Sequence, residues 1–184
     1  ILVSEALHER QIAEIAEQIV RRQDARIVLI AGPSSSGKTT FSKRLAVQLL
    51  AQGLSPFPIE MDNYFVNRES TPLDENGERD YEALGALDTT RLADDLRRLI
   101  RGEEVQLPRY NFKTGLSEPG ETVRVASEQV IILEGIHGLN PGLLPAIPVE
   151  QTFRVYVSCL TQLNLDRSNR VSTTYTRLIR RLVR

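Results

Sequence analysis

The chain has 184 residues, 41% hydrophobic and 26% charged, with a net charge of −1. That balance is of one globular domain large enough to bury a core, and it excludes disordered and fibrous classes. A single cysteine, Cys159, rules out an internal disulfide, and no apolar stretch reaches bilayer length, so no membrane partner is expected and a cytoplasmic location is the default.

Residues 4–23 read as a helix, with Ile12, Ile15, Ile19 and Val20 as its apolar stripe and Glu17 placed to pair with Arg21 at i,i+4. Because the chain opens on Ile1, residues 1–23 are expected to be a leading helix that links to an upstream domain, and residues 24–184 the main domain. Arg26 to Ala31 is a near-continuous β-branched run of the kind buried on both faces of a parallel sheet. Directly after it comes Gly32-Pro33-Ser34-Ser35-Ser36-Gly37-Lys38-Thr39, a complete phosphate-binding P-loop. A helix follows from Lys38, with Phe41, Leu45, Leu49 and Leu50 assigned to its apolar face.

The P-loop binds ATP by curling backbone N–H groups around the phosphates at a helix N-terminus, where unpaired donors and the helix dipole favour an anion. Gly32, Ser34, Ser35, Ser36, Gly37 and Thr40 are therefore expected around the nucleotide, with Lys38 at the β- and γ-phosphates and the Thr39 hydroxyl on Mg²⁺.

A second strand, 57–61, ends at Asp62, and 66–88 reads as a long functional loop with turns at Pro72 and Asn76-Gly77. Thr89 or Thr90 is expected to cap a helix through Leu92, Leu96, Leu99 and Ile100, closed by Gly102. Three short strands, 105–107, 110–112 and 122–125, surround a turn at Thr114-Gly115. Val130 to Leu133 is the next buried strand and ends at Glu134, 153–159 is another, and 162–184 is a loop then a helix. The fold class is α/β: a doubly wound, mostly parallel sheet with helices on both faces, of the P-loop NTPase kind, whose ligands lie outside the carboxyl ends of the strands.

Phosphoryl transfer to a hydroxyl needs Mg²⁺, cations over the phosphoryl oxygens and a carboxylate to take the hydroxyl proton. Asp62 is the candidate base, Glu134 the candidate Mg²⁺ ligand through water, and Asp80 a third acid in the loop between. Tyr64, Phe65, Tyr110 and Phe112 either stack an acceptor or pack the core. His137 is either a substrate contact or a capping residue. Residues 151–184 carry seven arginines and one acid, and these cations either sit over the transferring phosphate or form a solvated helix face; a nucleic-acid partner is not expected.

Taken together, Gly-Pro-Ser-Ser-Ser-Gly-Lys-Thr-Thr (32–40), Met-Asp-Asn-Tyr-Phe (61–65), Leu-Pro-Arg-Tyr-Asn-Phe (107–112), Leu-Glu-Gly-Ile-His (133–137) and Thr-Arg-Leu-Ile-Arg-Arg (176–181) resemble the uridine kinase and phosphoribulokinase family. The resemblance runs from about residue 26 to the end. It implies ATP-dependent phosphorylation of a nucleoside 5′-hydroxyl, uridine or cytidine, with Asp62 as base, Asp80 on the ribose hydroxyls, and Tyr110 and Phe112 at the pyrimidine. Arg177 and Arg180 fall on the family's lid helix, which closes over the phosphates and excludes water. Bacterial members carry an upstream region similar to the N-terminal part of threonyl-tRNA synthetase, and relatives continue past the position of Arg184, so an upstream domain and a missing C-terminal end are both expected. Homo-oligomerisation is left open. Two departures stand out. No histidine follows the Tyr-x-Phe motif near Thr114-Gly115, and Glu-Gly-Ile-His is closer to phosphoribulokinase wording, which keeps a sugar phosphate or another alcohol in play as acceptor. A non-catalytic ATP-binding regulatory module is the remaining alternative.

Overall fold

The computed structural model describes residues 2–158 and 172–183. Helix α1 (Leu2–Arg21) leads into strand β1 (Ile27–Ala31), the P-loop, helix α2 (Lys38–Ala51) and strand β2 (Ser55–Glu60). Helix α3 (Thr89–Ile100) precedes strands β3 (Glu104–Asn111), β4 (Leu116–Arg124), β5 (Gln129–Glu134) and β6 (Thr152–Tyr156), and helix α4 (Thr173–Leu182) comes last. None of these helices is long and apolar enough to cross a membrane.

The main sheet has the order β2-β5-β1-β6, and every pairing in it is parallel. Alternation along its two central strands divides the core. Ile27 and Leu29 of β1 and Ile131 and Leu133 of β5 face α3, whereas Val28, Ile30, Val130 and Ile132 face α1 and α2. All of β1 and residues 130–133 of β5 are thus apolar, as burial on two faces requires. Pro56 and Pro58 sit in β2, an edge strand, where a missing N–H removes no ladder bond from an inner neighbour. The α/β fold with a parallel sheet and helices on both faces is therefore observed.

The leading helix packs on this sheet, with Ile12, Ala16 and Ile19 buried in the same core as Leu45 and Leu49 of α2. An Arg44–Glu9 ion pair at 2.9 Å adds to that contact. Several other elements differ from the sequence-based expectation. Leu50, assigned to the buried face of α2, is 57% exposed, since the stripe is only wide enough for Phe41, Leu45 and Leu49. Asp88, not Thr89 or Thr90, caps α3, accepting the Arg91 N–H at 2.9 Å. The three short strands are one antiparallel ribbon, β3 with β4, separate from the sheet and turning at Gly115, whose φ of +74° suits glycine. The last sheet strand stops at Tyr156, and Cys159 lies outside the described residues.

Candidate active site

The carboxyl ends of β1, β5 and β2 lie side by side, and the pairing register fixes what they carry. Glu134, the last residue of β5, is opposite Ile30 of β1 on one side and Glu60 of β2 on the other. The P-loop leaves β1 at Gly32, and Asp62 follows β2 in a short 3₁₀ turn, Met61–Tyr64. The topology alone therefore sets Glu134 between the phosphate loop and Asp62.

A cleft of about 250 Å³ at this edge is walled by Ser34, Ser35, Lys38, Thr39, Glu60, Asp62, Glu134, Gly135 and Ile136. The loop around it is tightly formed. Ser35 takes a φ of +58° and Gly37 a φ of +100°, the curled path that turns successive N–H groups inward before α2 begins. At Gly32 a Cβ would collide with the Val157 carbonyl and come within 2.8 Å of Ser36 Oγ. Ser36 is buried and Thr40 exposed, so neither lines the cleft. Lys38 Nζ donates to the carbonyls of Gly32 at 2.9 Å and Pro33 at 3.2 Å.

The carboxylates are crowded. Asp62 is solvent-exposed at the mouth of the cleft, and partial desolvation by the cleft walls still pushes its pKa above its ordinary value, with Lys38 pulling it back and Glu60 adding to the rise. Burial likewise raises Glu134, against the Thr39 hydroxyl and Lys38, which favour its charged form, and with Glu60 and Asp62 disfavouring it. The Thr39 hydroxyl and the Glu134 carboxylate share one wall of the cleft, and Glu134 Oε2 is buried without a partner. A hydroxyl beside an unpaired carboxylate oxygen is a donor set suited to Mg²⁺. Among the described residues no three His, Cys, Asp or Glu converge to cage a metal. A cation here would therefore rest on these two side chains plus water and phosphate oxygens, the arrangement magnesium prefers.

Beside the turn that carries Asp62, the ribbon brings up a group of aromatic rings. Phe65 lies 5.5 Å from Tyr110 and 6.4 Å from both Tyr81 and Phe112, and Tyr110 and Phe112 meet edge to face at 5.0 Å. Tyr110 is buried with its hydroxyl unpartnered, whereas Phe112 is 62% exposed. Asn63 Oδ1 accepts the Tyr110 N–H at 3.3 Å and ties this group to the Asp62 turn.

Other expected residues are placed differently. Tyr64, a candidate acceptor contact, is a core side chain instead, fully buried with its hydroxyl donating to Asp95 Oδ2 at 3.1 Å. Asp80 uses Oδ1 to accept the N–H groups of Glu82 and Ala83 within its own loop and is not on the cleft wall. His137 is half-buried just past β5 with Nε2 unpartnered, also off the wall. Arg177 reaches the P-loop from α4, its Nε donating to the Ser34 carbonyl at 3.1 Å. Arg180 is on the same helix, but its side chain lies outside the described residues. Glu60 and Tyr81 were not foreseen. Glu60 is two residues before Asp62 at the end of an extended strand, a spacing that could have marked it.

Comparison with known proteins gives this arrangement a context. Residues 27–172 match the family model described as the phosphoribulokinase / uridine kinase family. A uridine kinase of Brevibacillus brevis is 36% identical over 110 residues, covering 60% of this chain and 50% of that protein. A solved structure of a "possible uridine kinase" from Bacillus stearothermophilus superposes with a TM-score of 0.59 at 27% identity, covering 74% of this chain and 72% of the other. D-glycerate 3-kinase from Cryptococcus neoformans shares the fold alone, with a TM-score of 0.50 at 20% identity over 71% of this chain and 52% of its own. The chain spans about half the length of the curated relatives it matches.

Proposed function

The chain belongs to the phosphoribulokinase / uridine kinase family, and from that premise we propose that it transfers the terminal phosphoryl group of ATP to the 5′-hydroxyl of a pyrimidine nucleoside, uridine or cytidine. The observation that carries the reading is that Lys38, Thr39, Glu134 and Asp62 line one cleft. A nucleotide-binding switch has no use for a carboxylate facing an acceptor hydroxyl, whereas a kinase needs one.

In this reading the N–H groups of residues 34–39 and the Lys38 ammonium hold the phosphates, and Thr39 and Glu134 hold Mg²⁺, which when bound neutralises charge on the phosphate oxygens. Asp62 accepts the proton of the attacking hydroxyl as the new P–O bond forms and the bond to the β-phosphate oxygen breaks, releasing ADP. The raised pKa of Asp62 makes it a stronger base than an ordinary aspartate. Phe65, Tyr81, Tyr110 and Phe112 supply apolar surface on which a planar base can stack. Arg177 on α4 brings a cation to the P-loop, as a lid over the phosphates requires.

A second acceptor class, a sugar phosphate or other alcohol, is favoured by one detail. At Gly115, close to where the family places a base-reading histidine, a Cβ would come within 2.8 Å of the Arg68 side chain. The Arg68 side chain thus puts a cation beside the ribbon's turn, where its Nη2 donates to the Phe112 carbonyl. The test is to incubate the protein with Mg-ATP and a panel of nucleosides and sugar phosphates and to follow ADP release. Release confined to uridine or cytidine supports the proposal, release confined to a sugar phosphate supports the second reading, and no acceptor-dependent release removes both.

A further inference from the structure

The turn Met61–Tyr64 is four residues long and has no side-chain cap, so it cannot hold Asp62 in place by itself. Its grip comes from three neighbours. Met61 is buried against Gly135, where a Cβ would lie 2.7 Å from Met61 Cβ. Asn63 is tied to the ribbon through the Tyr110 N–H. Tyr64 inserts into the core and donates its hydroxyl to Asp95.

The third contact differs in kind from the others. Asp95 is only 5% exposed, on a face of α3 otherwise made of Leu92, Leu96 and Leu99. Burial raises its pKa against the opposing pull of Tyr64 and Arg91, and Arg91 Nε stands 3.8 Å away. The Tyr64 hydroxyl is in turn pushed far upward by burial and by Asp95. A leucine at position 95 would avoid the desolvation cost altogether. A buried polar pair of this sort gains little stability over an apolar one, but it admits a single geometry. The geometry here has two outputs, since Asp62 lies two residues before Tyr64 and Phe65 directly after it. Asp62 faces the phosphate cleft and Phe65 enters the aromatic group.

We propose that Asp95, acting through the Tyr64 hydroxyl, is a positioning residue for phosphoryl transfer, registering Asp62 and Phe65 together so that base and acceptor surface meet in one alignment. The inference rests on the transfer reading above and adds to it a residue that touches neither substrate. A small displacement of a catalytic group costs on the order of 100-fold in rate, so the contribution is measurable.

The test compares the wild-type chain with Asp95→Asn, Tyr64→Phe and the double variant Tyr64→Phe/Asp95→Leu, measuring kcat, KM for each substrate, ATP binding and thermal midpoint. Asp95→Asn keeps an acceptor for the tyrosine hydroxyl and should hold kcat within about threefold. Tyr64→Phe, assayed where its ATP binding equals that of wild type, should lose about 10- to 100-fold in kcat. The double variant removes both polar groups, so it should fold at least as stably as wild type and still show that loss, which a merely structural role would not produce. A double variant with wild-type kcat overturns the proposal while leaving the kinase reading intact. Absence of acceptor-dependent ADP release in the wild type overturns both.

Discussion

On the phosphate side of the molecule the chemical groups are carried by the ends of three neighbouring parallel strands, β1, β2 and β5, whereas on the aromatic side only the ribbon is regular and none of the four clustered rings belongs to the main sheet. Phe65 directly follows the 3₁₀ turn Met61–Tyr64, Tyr81 lies in the loop before α3, Tyr110 is from β3 and Phe112 from the ribbon's tip. Side-chain bonds to backbone do there what the ladder does in the sheet. Asn67 Oδ1 accepts the Ser117 N–H at 2.9 Å, Arg68 donates to the Phe112 carbonyl at 2.9 Å, and Asp74 and Asp80 close their own turns. The phosphate side is thus fixed by topology, and the acceptor side is adjustable one side chain at a time. Such a division lets one fold keep its donor chemistry while changing its acceptor.

The most severe break of this contrast is expected on the fixed side. Lys38→Ala removes the cation that meets the phosphates, and it should weaken ATP binding and reduce turnover together, the latter by about 10²- to 10³-fold. Calorimetric titration with ATP alongside the ADP-release assay checks both. ATP binding at wild-type strength would show that the cleft is not a phosphate cradle.

Asp62→Asn separates binding from chemistry. Turnover should fall by about 10²-fold or more with ATP binding retained, the scale of general-base help. Stability should move the opposite way. A carboxylate whose folded pKa is raised contributes its stability below the unfolded value, 3.8 for an ordinary aspartate, and loses it as pH rises through the folded value. At pH 7 Asp62 therefore costs stability, partly screened because the cleft is open to water. The asparagine variant should melt about 1–3 °C higher than wild type at pH 7 and no higher near pH 3. Thermal scans at both pH values test the sign, and a lower midpoint at pH 7 would mean that Lys38 outweighs burial at this carboxylate.

The sequence discloses these two sides unequally, for reasons visible in single residues. The runs 27–31 and 130–133 announce themselves because strands buried on both faces tolerate only apolar side chains. Asp62 and Glu134 follow from their places at strand ends. Tyr64 and Phe65 could not be told apart, because Tyr64 ends the 3₁₀ turn and Phe65 leaves it in extended backbone, and only Asp95, 31 residues on, decides which one is core. The ribbon read as fragments because Pro108 and Pro119 face each other beside a register shift, which interrupts the alternation. The phosphate loop is legible because it is a contiguous motif; the proposed acceptor surface draws on residues from 65 to 112 and has none.

Gly135 sits where the two sides touch, which makes its substitution the next largest effect. In Gly135→Ala the new methyl would lie 2.5 Å from Met61 Sδ and 2.7 Å from its Cβ. The thioether can swing away, but the Cβ moves only with the backbone of the turn bearing Asp62. A loss of about 1–3 kcal/mol in stability is expected from such overpacking, measured by denaturant unfolding. A fall in kcat should accompany it, with little change in ATP binding. Unchanged kcat despite the stability loss would mean that the turn absorbs the shift without moving its carboxylate.

The smallest change is expected at the ribbon tip. Phe112 is 62% exposed and meets the aromatic group only in edge-to-face pairs, so Phe112→Ala removes little buried area and should leave the thermal midpoint within about 1 °C of wild type. An acceptor that stacks on this ring would lose about 1–3 kcal/mol of binding, the range for an aromatic face against a base, which corresponds to a 5- to 150-fold rise in acceptor KM. The KM for ATP should stay put, because the P-loop cleft shares no wall with Phe112. The comparison sharpens when the same variant is assayed with two acceptors, a nucleoside and a sugar phosphate. A ring that reads a planar base penalises the nucleoside alone, whereas equal penalties would place Phe112 in the support of the ribbon rather than in contact with the acceptor.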